Sequence, residues 1–143
     1  MLMYLSVASE AMSEDQLNDI LNESRAWNKS HDLTGCLAYV EGNLKGKSQC
    51  RFIQVLEGPK EQVKGIFENI QNDPRHMHIN VIKEGAIGSR NFGTWEMGFE
   101  RINLDTNADL QEFFELDTKV LSENGDLSNN ILLNFMKAFY SNH

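Results

Sequence analysis

Two amphipathic helical patterns alternate with apolar stretches that have the two-residue period of β-strands. The strand patterns cover residues 1–7, 34–40, 52–56, 79–82 and 94–102. The helical stripes are Leu17, Ile20, Leu21, Ser24 and Asn28 in the first helix, and Val63, Ile66, Phe67 and Ile70 in the second. The order β-α-β-β-α-β, with one added strand, predicts an α+β fold. It is typical of a ferredoxin-like sheet with both helices on one face.

Local signals mark where these elements begin and end. Ser13 and Gln16 have the spacing of a capping box, which predicts the start of the first helix. Pro59 suits the first turn of the second helix, and Asp73-Pro74 predicts its end. Residues 41–49 are polar and include two glycines, so we expect a long hairpin loop there.

From residue 103 onward the chain is acidic, with seven Asp and Glu residues against two Lys. It still has two helical patterns, one around Leu110, Phe113 and Phe114 and one around Ile131, Leu132, Phe135, Met136 and Phe139. We therefore predict a main domain over residues 1–102 and a C-terminal helical pair, docked on it, over residues 103–143.

Composition narrows the possible functions. A chain of 143 residues suits one compact domain, and its net charge of −8 argues against direct nucleic-acid binding, which depends on Lys and Arg. The apolar runs are too short to span a membrane, and no basic stretch precedes them, so we expect neither a membrane span nor a secretory leader. Cys36 and Cys50 form no metal motif with the histidines, which favours a metal-free protein in the reducing cytoplasm.

Several polar side chains interrupt stripes that are otherwise apolar. Gln54 lies between Phe52 and Leu56, and Ser24 and Asn28 continue the stripe of the first helix. A buried polar group without a partner costs roughly 1–3 kcal/mol, so a convergent set would need to bond to each other or to a polar ligand. Taken singly, Gln54 could face solvent, and Asn28 could cap the helix end. Tyr4 could be a core aromatic with its hydroxyl at the rim.

Five separated motifs together resemble the BLUF domain, a blue-light sensor that uses flavin. They are Tyr4-Leu5-Ser6, Asn28 with Leu33-Thr34-Gly35, Phe52 through Gly58, Asp73-Pro74-Arg75-His76, and Asn91 through Met97. Their order and spacing fit across residues 1–102. The remaining residues resemble the extra helical pair of short, stand-alone members of that family.

The resemblance implies that a flavin ring lies between the two helices, with Tyr4, Asn28 and Gln54 bonded around it. FAD is the cofactor that the family predicts, with FMN or riboflavin possible. The resemblance further implies that the light-excited flavin takes an electron from Tyr4. The proton of Tyr4 would follow through Gln54, and Gln54 would be left rearranged. Trp95 and Met97 match a pair that exchanges its packing against the Gln. Both could instead be ordinary core residues, since Trp95, Met97 and Phe99 alternate on one face of the predicted strand.

Further positions follow from the same resemblance. The flavin-contacting residues that it implies, besides Tyr4, Asn28 and Gln54, are Ile20, Ser24, Trp27, Phe52, Ile70, Asp73 and His76. Trp27 and Asn69 stand where many relatives carry a polar residue and a basic residue near the flavin. These two departures bear on how strongly flavin binds and on the dark-recovery rate. The expected loop at residues 41–50 is also longer than the usual family turn, and it would lie far from the ring.

The leading hypothesis is therefore a photoreceptor that is not an enzyme and acts through homo-oligomers and a separate protein regulator. An alternative is a small ferredoxin-like enzyme of the acylphosphatase kind. Its phosphate-binding loop would have to be the stretch from Gly85 to Arg90, which is a weak candidate. A third hypothesis is a purely structural, light-inactive binding module whose flavin site has decayed, although the presence of Tyr4, Asn28 and Gln54 argues against it.

Overall fold

A computed structural model of the chain describes residues 1–44, 46–93, 95–108, 110–111 and 133–138. The strands are β1 (Leu2–Ala8), β2 (Thr34–Leu44), β3 (Lys47–Glu57), β4 (His76–Glu84) and β5 (Gly98–Asn103). The helices between them are α1 (Glu14–Ser30) and α2 (Lys60–Gln71). A 3₁₀ turn, Leu104–Thr106, follows β5. Residues 108, 110–111 and 133–138 are helical.

The five strands form one sheet in the order β4-β1-β3-β2-β5. β1 pairs antiparallel with β3 and β4, β2 pairs antiparallel with β3, and β5 runs parallel to β2. The predicted ferredoxin-like α+β fold is thereby confirmed. The register sets Tyr4 of β1 directly beside Gln54 of β3, near the centre of the sheet.

Alternate residues of the strands pack on opposite faces of the sheet. One face packs against α1 and α2, through a cluster that includes Tyr4, Leu37, Phe52, Leu17 and Val63. The other face is covered by Leu104, Leu110, Leu133 and Met136, from beyond the last strand. Both helices thus lie on one face, as predicted, and the cleft between them and the sheet lies on that side.

The start of α1 follows the sequence signals closely. Ser13 Oγ accepts a hydrogen bond from the Gln16 amide at 3.2 Å, and Gln16 Oε1 accepts one from the Ser13 amide at 2.9 Å. The predicted capping box is confirmed. Pro59 lies at the N-cap of α2, one position before the first turn in which it was expected, and its carbonyl accepts from Val63.

The predicted long hairpin loop at residues 41–49 is wrong. β2 runs to Leu44 and β3 begins at Lys47, so these polar residues extend both strands. Strand pairing needs only backbone groups, and a hairpin that projects beyond the core has no need of apolar side chains. Gly46, with φ of +79°, supplies the left-handed backbone of the turn.

The last predicted strand is also too long at its start. Residues 94–102 were expected to be strand, but β5 begins only at Gly98. Trp95 instead uses its backbone carbonyl to accept a hydrogen bond from the Gly35 amide at 3.0 Å.

The C-terminal prediction is confirmed only in part. The described residues at 108, 110–111 and 133–138 are helical, and Leu110, Leu133 and Met136 are buried. Phe113, Phe114, Ile131, Leu132 and Phe139 lie outside the described residues. Within the part of the chain that the structure describes, no helix is long and apolar enough to cross a membrane.

Candidate functional site

The centre of the site is a hydrogen bond between neighbouring strands. The Tyr4 hydroxyl donates to Gln54 Oε1, and both side chains are buried. Burial raises the pKa of Tyr4 far above its ordinary value, and the nearby Asp73 carboxylate raises it further. The phenol is therefore protonated and neutral, and its proton points at an amide oxygen.

The other end of the Gln54 amide faces Met97. Gln54 Nε2 lies 3.6 Å from Met97 Sδ, a weak hydrogen bond to sulfur, and Met97 is buried. One amide thus joins β1 to the residue immediately before β5. The solvent-facing interpretation of Gln54 is wrong, because only 4% of the residue is exposed.

Asn28 contributes the third polar group, from α1. Its Nδ2 donates to the Glu96 carbonyl at 2.5 Å, while its buried Oδ1 has no hydrogen-bond partner in the described part of the chain. The interpretation of Asn28 as a helix cap is wrong, because α1 continues to Ser30 and His31 is its C-cap. The Asn28 side chain instead faces the site and leaves one acceptor unused.

Trp27 leaves a second polar atom unused. Its indole Nε1 is buried without a partner. The ring stacks on the His31 imidazole at 3.9 Å between centroids, with 9° between the planes. The stack fixes the orientation of the indole, and its N–H has no acceptor among the residues that the structure describes.

A cavity of about 200 Å³ lies between α1, α2 and the sheet. Its described lining consists of Ile20, Glu23, Ser24, Trp27, Asn28, Leu37, Gln54, Ile66, Asn69, Ile70, Asp73, Arg75 and His76. Both polar atoms without a partner among the described residues belong to lining residues: Trp27 Nε1 is a donor, and Asn28 Oδ1 is an acceptor. Because buried polar groups are normally paired, the cavity fits a ligand that carries both a donor and an acceptor at its edge. Its aliphatic residues suit a flat apolar ring, and a flavin ring has these properties.

Three charged side chains stand at the open end of the cavity: Glu23, Asp73 and Arg75, called here the cavity mouth. The Arg75 guanidinium bonds to Asp73 Oδ2 at 2.6 Å and to Glu23 Oε2 at 2.8 Å. Burial alone would raise the pKa of Asp73, but the hydrogen bonds and charge of Arg75 outweigh it and hold that pKa below its usual range. The Asp73–Arg75 pair therefore stays charged at neutral pH.

His76 forms part of the cavity wall at the start of β4. Burial lowers its pKa to about 4, although Asp73 acts in the opposite direction. Its Nδ1 lies 2.9 Å from Ser6 Oγ, and its ring is 4.6 Å from that of Phe52. The imidazole is thus neutral at physiological pH and serves as a polar wall, not as a cation.

Most of the residues predicted for the site converge on this cavity. Ile20, Ser24, Trp27, Asn28, Gln54, Ile70, Asp73 and His76 all line it. Tyr4 and Phe52 lie behind the lining, where Tyr4 bonds to Gln54 and Phe52 packs on His76. Glu23, Leu37, Ile66 and Arg75 were missed as lining residues, although Arg75 stands in a quoted motif and Ile66 on the predicted stripe of α2.

Trp95 does not share a face with Met97, as the assumed strand alternation required. Met97 packs in the cluster on the helix side of the sheet, whereas Trp95 packs against the opposite cluster, 6.2 Å from the ring of Phe92. The alternation fails because residues before Gly98 are not strand. Gly98 allows this arrangement, since a Cβ there would lie 1.9 Å from the Trp95 ring.

Glu57 holds the segment that leads to Trp95 and Met97, a function that the sequence did not reveal. Its carboxylate is fully buried and accepts hydrogen bonds from the Asn91 amide at 2.6 Å and the Phe92 amide at 2.8 Å. The same strand, β3, carries Gln54. One strand therefore both contacts Met97 and fixes the chain that precedes it.

Comparison with known families gives a match over most of the chain. The family described as "BLUF: Sensors of blue-light using FAD" matches residues 1–98. The photoactivated adenylate cyclase subunit alpha of Euglena gracilis is 34% identical over 93 residues, which are 65% of this chain and 8% of that protein. The blue light- and temperature-regulated antirepressor BluF of Escherichia coli K12 is 30% identical over 82% of this chain and 27% of that protein. The chain thus spans only a minor part of these curated relatives.

Two solved structures match over nearly their full length. The dark-state structure of BlrB, a BLUF protein, superposes with a TM-score of 0.65 and 26% identity, over 93% of this chain and 94% of that one. The photo-activated state of BlsA gives a TM-score of 0.66 and 26% identity, over 95% and 92% of the two chains.

Proposed function

Because the chain belongs to the BLUF family of blue-light sensors, we propose that it is a photoreceptor that binds a flavin non-covalently and signals by rearranging Gln54. The observation that carries this proposal is the hydrogen-bonded chain Tyr4–Gln54–Met97 beside a cavity with two unpartnered polar atoms. It supplies a proton donor, an amide that can change orientation and a contact that would register the change.

The cavity residues divide into those that would hold the edge of the flavin ring and those that would hold its faces. Asn28 Oδ1 is free to accept from a ring N–H, and Trp27 Nε1 is free to donate to a ring oxygen. Ile20, Ile66 and Ile70, from both helices, supply apolar contact to the flat ring. FAD is the proposed cofactor from the family description, and FMN or riboflavin present the same ring to these groups.

When bound, the flavin supplies blue-light absorption and an excited state that can oxidise a nearby phenol. Tyr4 is the proposed electron donor, and its hydroxyl proton already points at Gln54 Oε1. A neutral phenol becomes strongly acidic when it loses an electron, so Gln54 is positioned to accept that proton. An amide has donors on one side and acceptors on the other, and a rearranged Gln54 would present different groups to Tyr4 and Met97.

The proposed output runs through the residues just before β5. Met97 contacts Gln54 through its sulfur, and its carbonyl accepts from Arg25 Nε at 3.0 Å. β5 starts at the next residue and pairs in parallel with β2. A change at Gln54 would thus reach the sheet edge and the covering C-terminal residues. We propose that the partners are further copies of this chain and a separate protein regulator, in the cytoplasm.

An enzymatic alternative finds less support. The Gly85–Arg90 stretch would need Arg90 free for a phosphate, but Arg90 donates to the Asp32 carbonyl at 2.9 Å and to Thr34 Oγ1 at 3.2 Å. Arg90 is also absent from the described lining of the cavity. The arrangement favours a sensor domain over an acylphosphatase-type enzyme.

The proposal is tested by the absorption spectrum of the purified protein loaded with flavin. Blue light should shift the long-wavelength flavin band to the red, and the shift should reverse in the dark. A binding module whose flavin site has decayed would show no flavin band, and neither would an enzyme of the alternative kind.

A further inference from the structure

Arg25, on α1, holds a backbone group of the segment that precedes β5. Its Nε donates a hydrogen bond to the Met97 carbonyl at 3.0 Å. Three residues later on α1, Asn28 Nδ2 donates to the Glu96 carbonyl at 2.5 Å. One turn of α1 therefore holds the carbonyls of two consecutive residues. The second of these is the residue whose sulfur contacts Gln54 Nε2.

These bonds differ in what their donors lose when they open. Asn28 is 1% exposed, so breaking its bond would leave a buried amide unpaired. The carbonyl of Trp95, one residue earlier, is held by the backbone amide of Gly35 at the edge of β2. Arg25 is exposed, and its guanidinium can exchange the carbonyl for water. The bond from Arg25 to Met97 is therefore the one whose donor loses least on opening.

Arg25 acts on Met97 and not on the cavity itself. It is absent from the described lining of the cavity, and it forms no ion pair with the residues that the structure describes. Its contact with the site passes through the backbone of Met97. The sulfur of that residue lies 3.6 Å from Gln54 Nε2, while Gln54 Oε1 accepts from Tyr4. The position of Met97 thus bears on which way the Gln54 amide points.

We propose that Arg25 is a positioning residue, which keeps the Met97 sulfur against Gln54 Nε2 and so speeds the return of Gln54 to its dark orientation after light. The inference rests on the proposed photoreceptor function and adds a residue to it. The amide can regain its dark contacts in those molecules in which Met97 is in place. The rate of return is therefore proportional to the fraction of molecules in that arrangement, and the bond from Arg25 raises this fraction.

The test compares the parent with Arg25→Met, which keeps the length of the side chain and removes its donors. After a pulse of blue light, the red-shifted flavin band of the variant should recover roughly three- to tenfold more slowly in the dark, as expected for the loss of one hydrogen bond. The second measurement is made in darkness on protein with ¹³C-methyl methionine. The methyl signal of Met97, assigned with Met97→Leu, should move in Arg25→Met.

Two matched variants separate the hydrogen bond from the charge. Arg25→Gln has an amide nitrogen at the same distance along the side chain as Arg25 Nε, so it should restore the bond and recover within about twofold of the parent. Lys29→Met removes an exposed cation one turn later on the same helix, and it should change neither the recovery nor the methyl signal.

Four results would overturn the role of Arg25 and leave flavin photochemistry in place. They are an unchanged recovery in Arg25→Met, a slower recovery with an unmoved Met97 signal, an Arg25→Gln as slow as Arg25→Met, and an equally slow Lys29→Met. A parent that binds no flavin or shows no reversible red shift would instead overturn the proposed function, and this inference with it.

Discussion

At the scale of single residues, the site depends on two polar side chains that have different tasks. Tyr4 is not itself among the described lining residues but bonds to Gln54, which is, so in the proposed mechanism its hydroxyl serves as a proton and electron source. Asn28 lines the cavity, and its Oδ1 has no partner among the described residues, so in the proposed function it is a ligand group. These tasks predict different phenotypes for substitutions of the two residues.

Tyr4→Phe should retain flavin and lose the light-induced red shift, because it removes the O–H and keeps the ring that fills the core. The unpaired Gln54 oxygen should lower the free energy of unfolding by about 1–3 kcal/mol. Absorption difference spectra before and after blue light measure the shift. Gln54→Leu should lose it too, since it breaks the link between phenol and cavity. A normal reversible shift in either variant contradicts the assigned roles.

Asn28→Ala should weaken flavin binding by a factor of about 5–150, which corresponds to the roughly 1–3 kcal/mol of one unpaired polar group. Flavin occupancy after serial dilution measures the effect. Asn22→Ala, on the exposed side of the same helix, is the control and should bind as the parent does. Equal retention by Asn28→Ala and the control would show that Asn28 is structural.

At the scale of elements, the sequence predicted those whose boundaries depend on local chemistry. The Ser13–Gln16 box begins α1 as expected, because both hydrogen bonds are formed within four residues. The prediction of a long loop at residues 41–49 failed because a distant residue stabilises the hairpin strands. Asp105 Oδ1 accepts a hydrogen bond from the backbone amide of Asn43 at 2.8 Å. Gly42, which suggested a loop, instead permits close approach of Leu104, since a Cβ there would lie 2.8 Å from it.

In the site, too, features that depend on local sequence were predicted, and features that depend on distant residues were not. The polar interruptions at Gln54 and Asn28 predicted a convergent cluster, and the structure brings both to one cavity. The Glu23–Arg75 ion pair of the mouth could not be predicted, because the two residues lie 52 positions apart in the chain. The position of Trp95 was missed because its orientation depends on Glu57 holding the preceding segment.

The packing of β4 on the sheet should depend on pH through His76. Its folded pKa of about 4 lies below the ordinary value near 6.5, so the folded state favours the neutral ring. The stabilisation is complete above pH 6.5 and is lost as pH falls toward 4, by at most ~3 kcal/mol. Urea unfolding at pH 7 and pH 4.5 measures this loss.

His76→Asn is the matched variant, because an amide can replace Nδ1 as the partner of Ser6 but does not titrate. It should lose less of its free energy of unfolding than the parent between those two pH values. Asp73, whose pKa is lowered, makes a contribution to stability that is lost only at more acidic pH. It therefore does not affect the comparison of the two proteins between pH 7 and pH 4.5. Equal losses in both proteins would assign the pH dependence elsewhere.

At the scale of the whole molecule, the two faces of the sheet connect the site to a potential partner surface. The cavity lies on the helix side, whereas Leu110, Leu133 and Met136 cover the other side. Met97 packs on the first side and Trp95 on the second, only two residues apart. A displacement of Met97 would therefore act on both layers through this short segment and through β5.

Met97→Ala should keep the red shift and abolish any light-dependent change in assembly. The Tyr4–Gln54 bond remains intact in the variant, but the sulfur that contacts Gln54 Nε2 is gone. Since truncating a buried Met costs about 2–5 kcal/mol, Met97→Leu is the second variant, which conserves volume and also lacks the sulfur. Size-exclusion chromatography in darkness and under blue light measures assembly. If both variants still change oligomeric state with light as the parent does, the signal leaves the cavity by a route that does not pass through Met97.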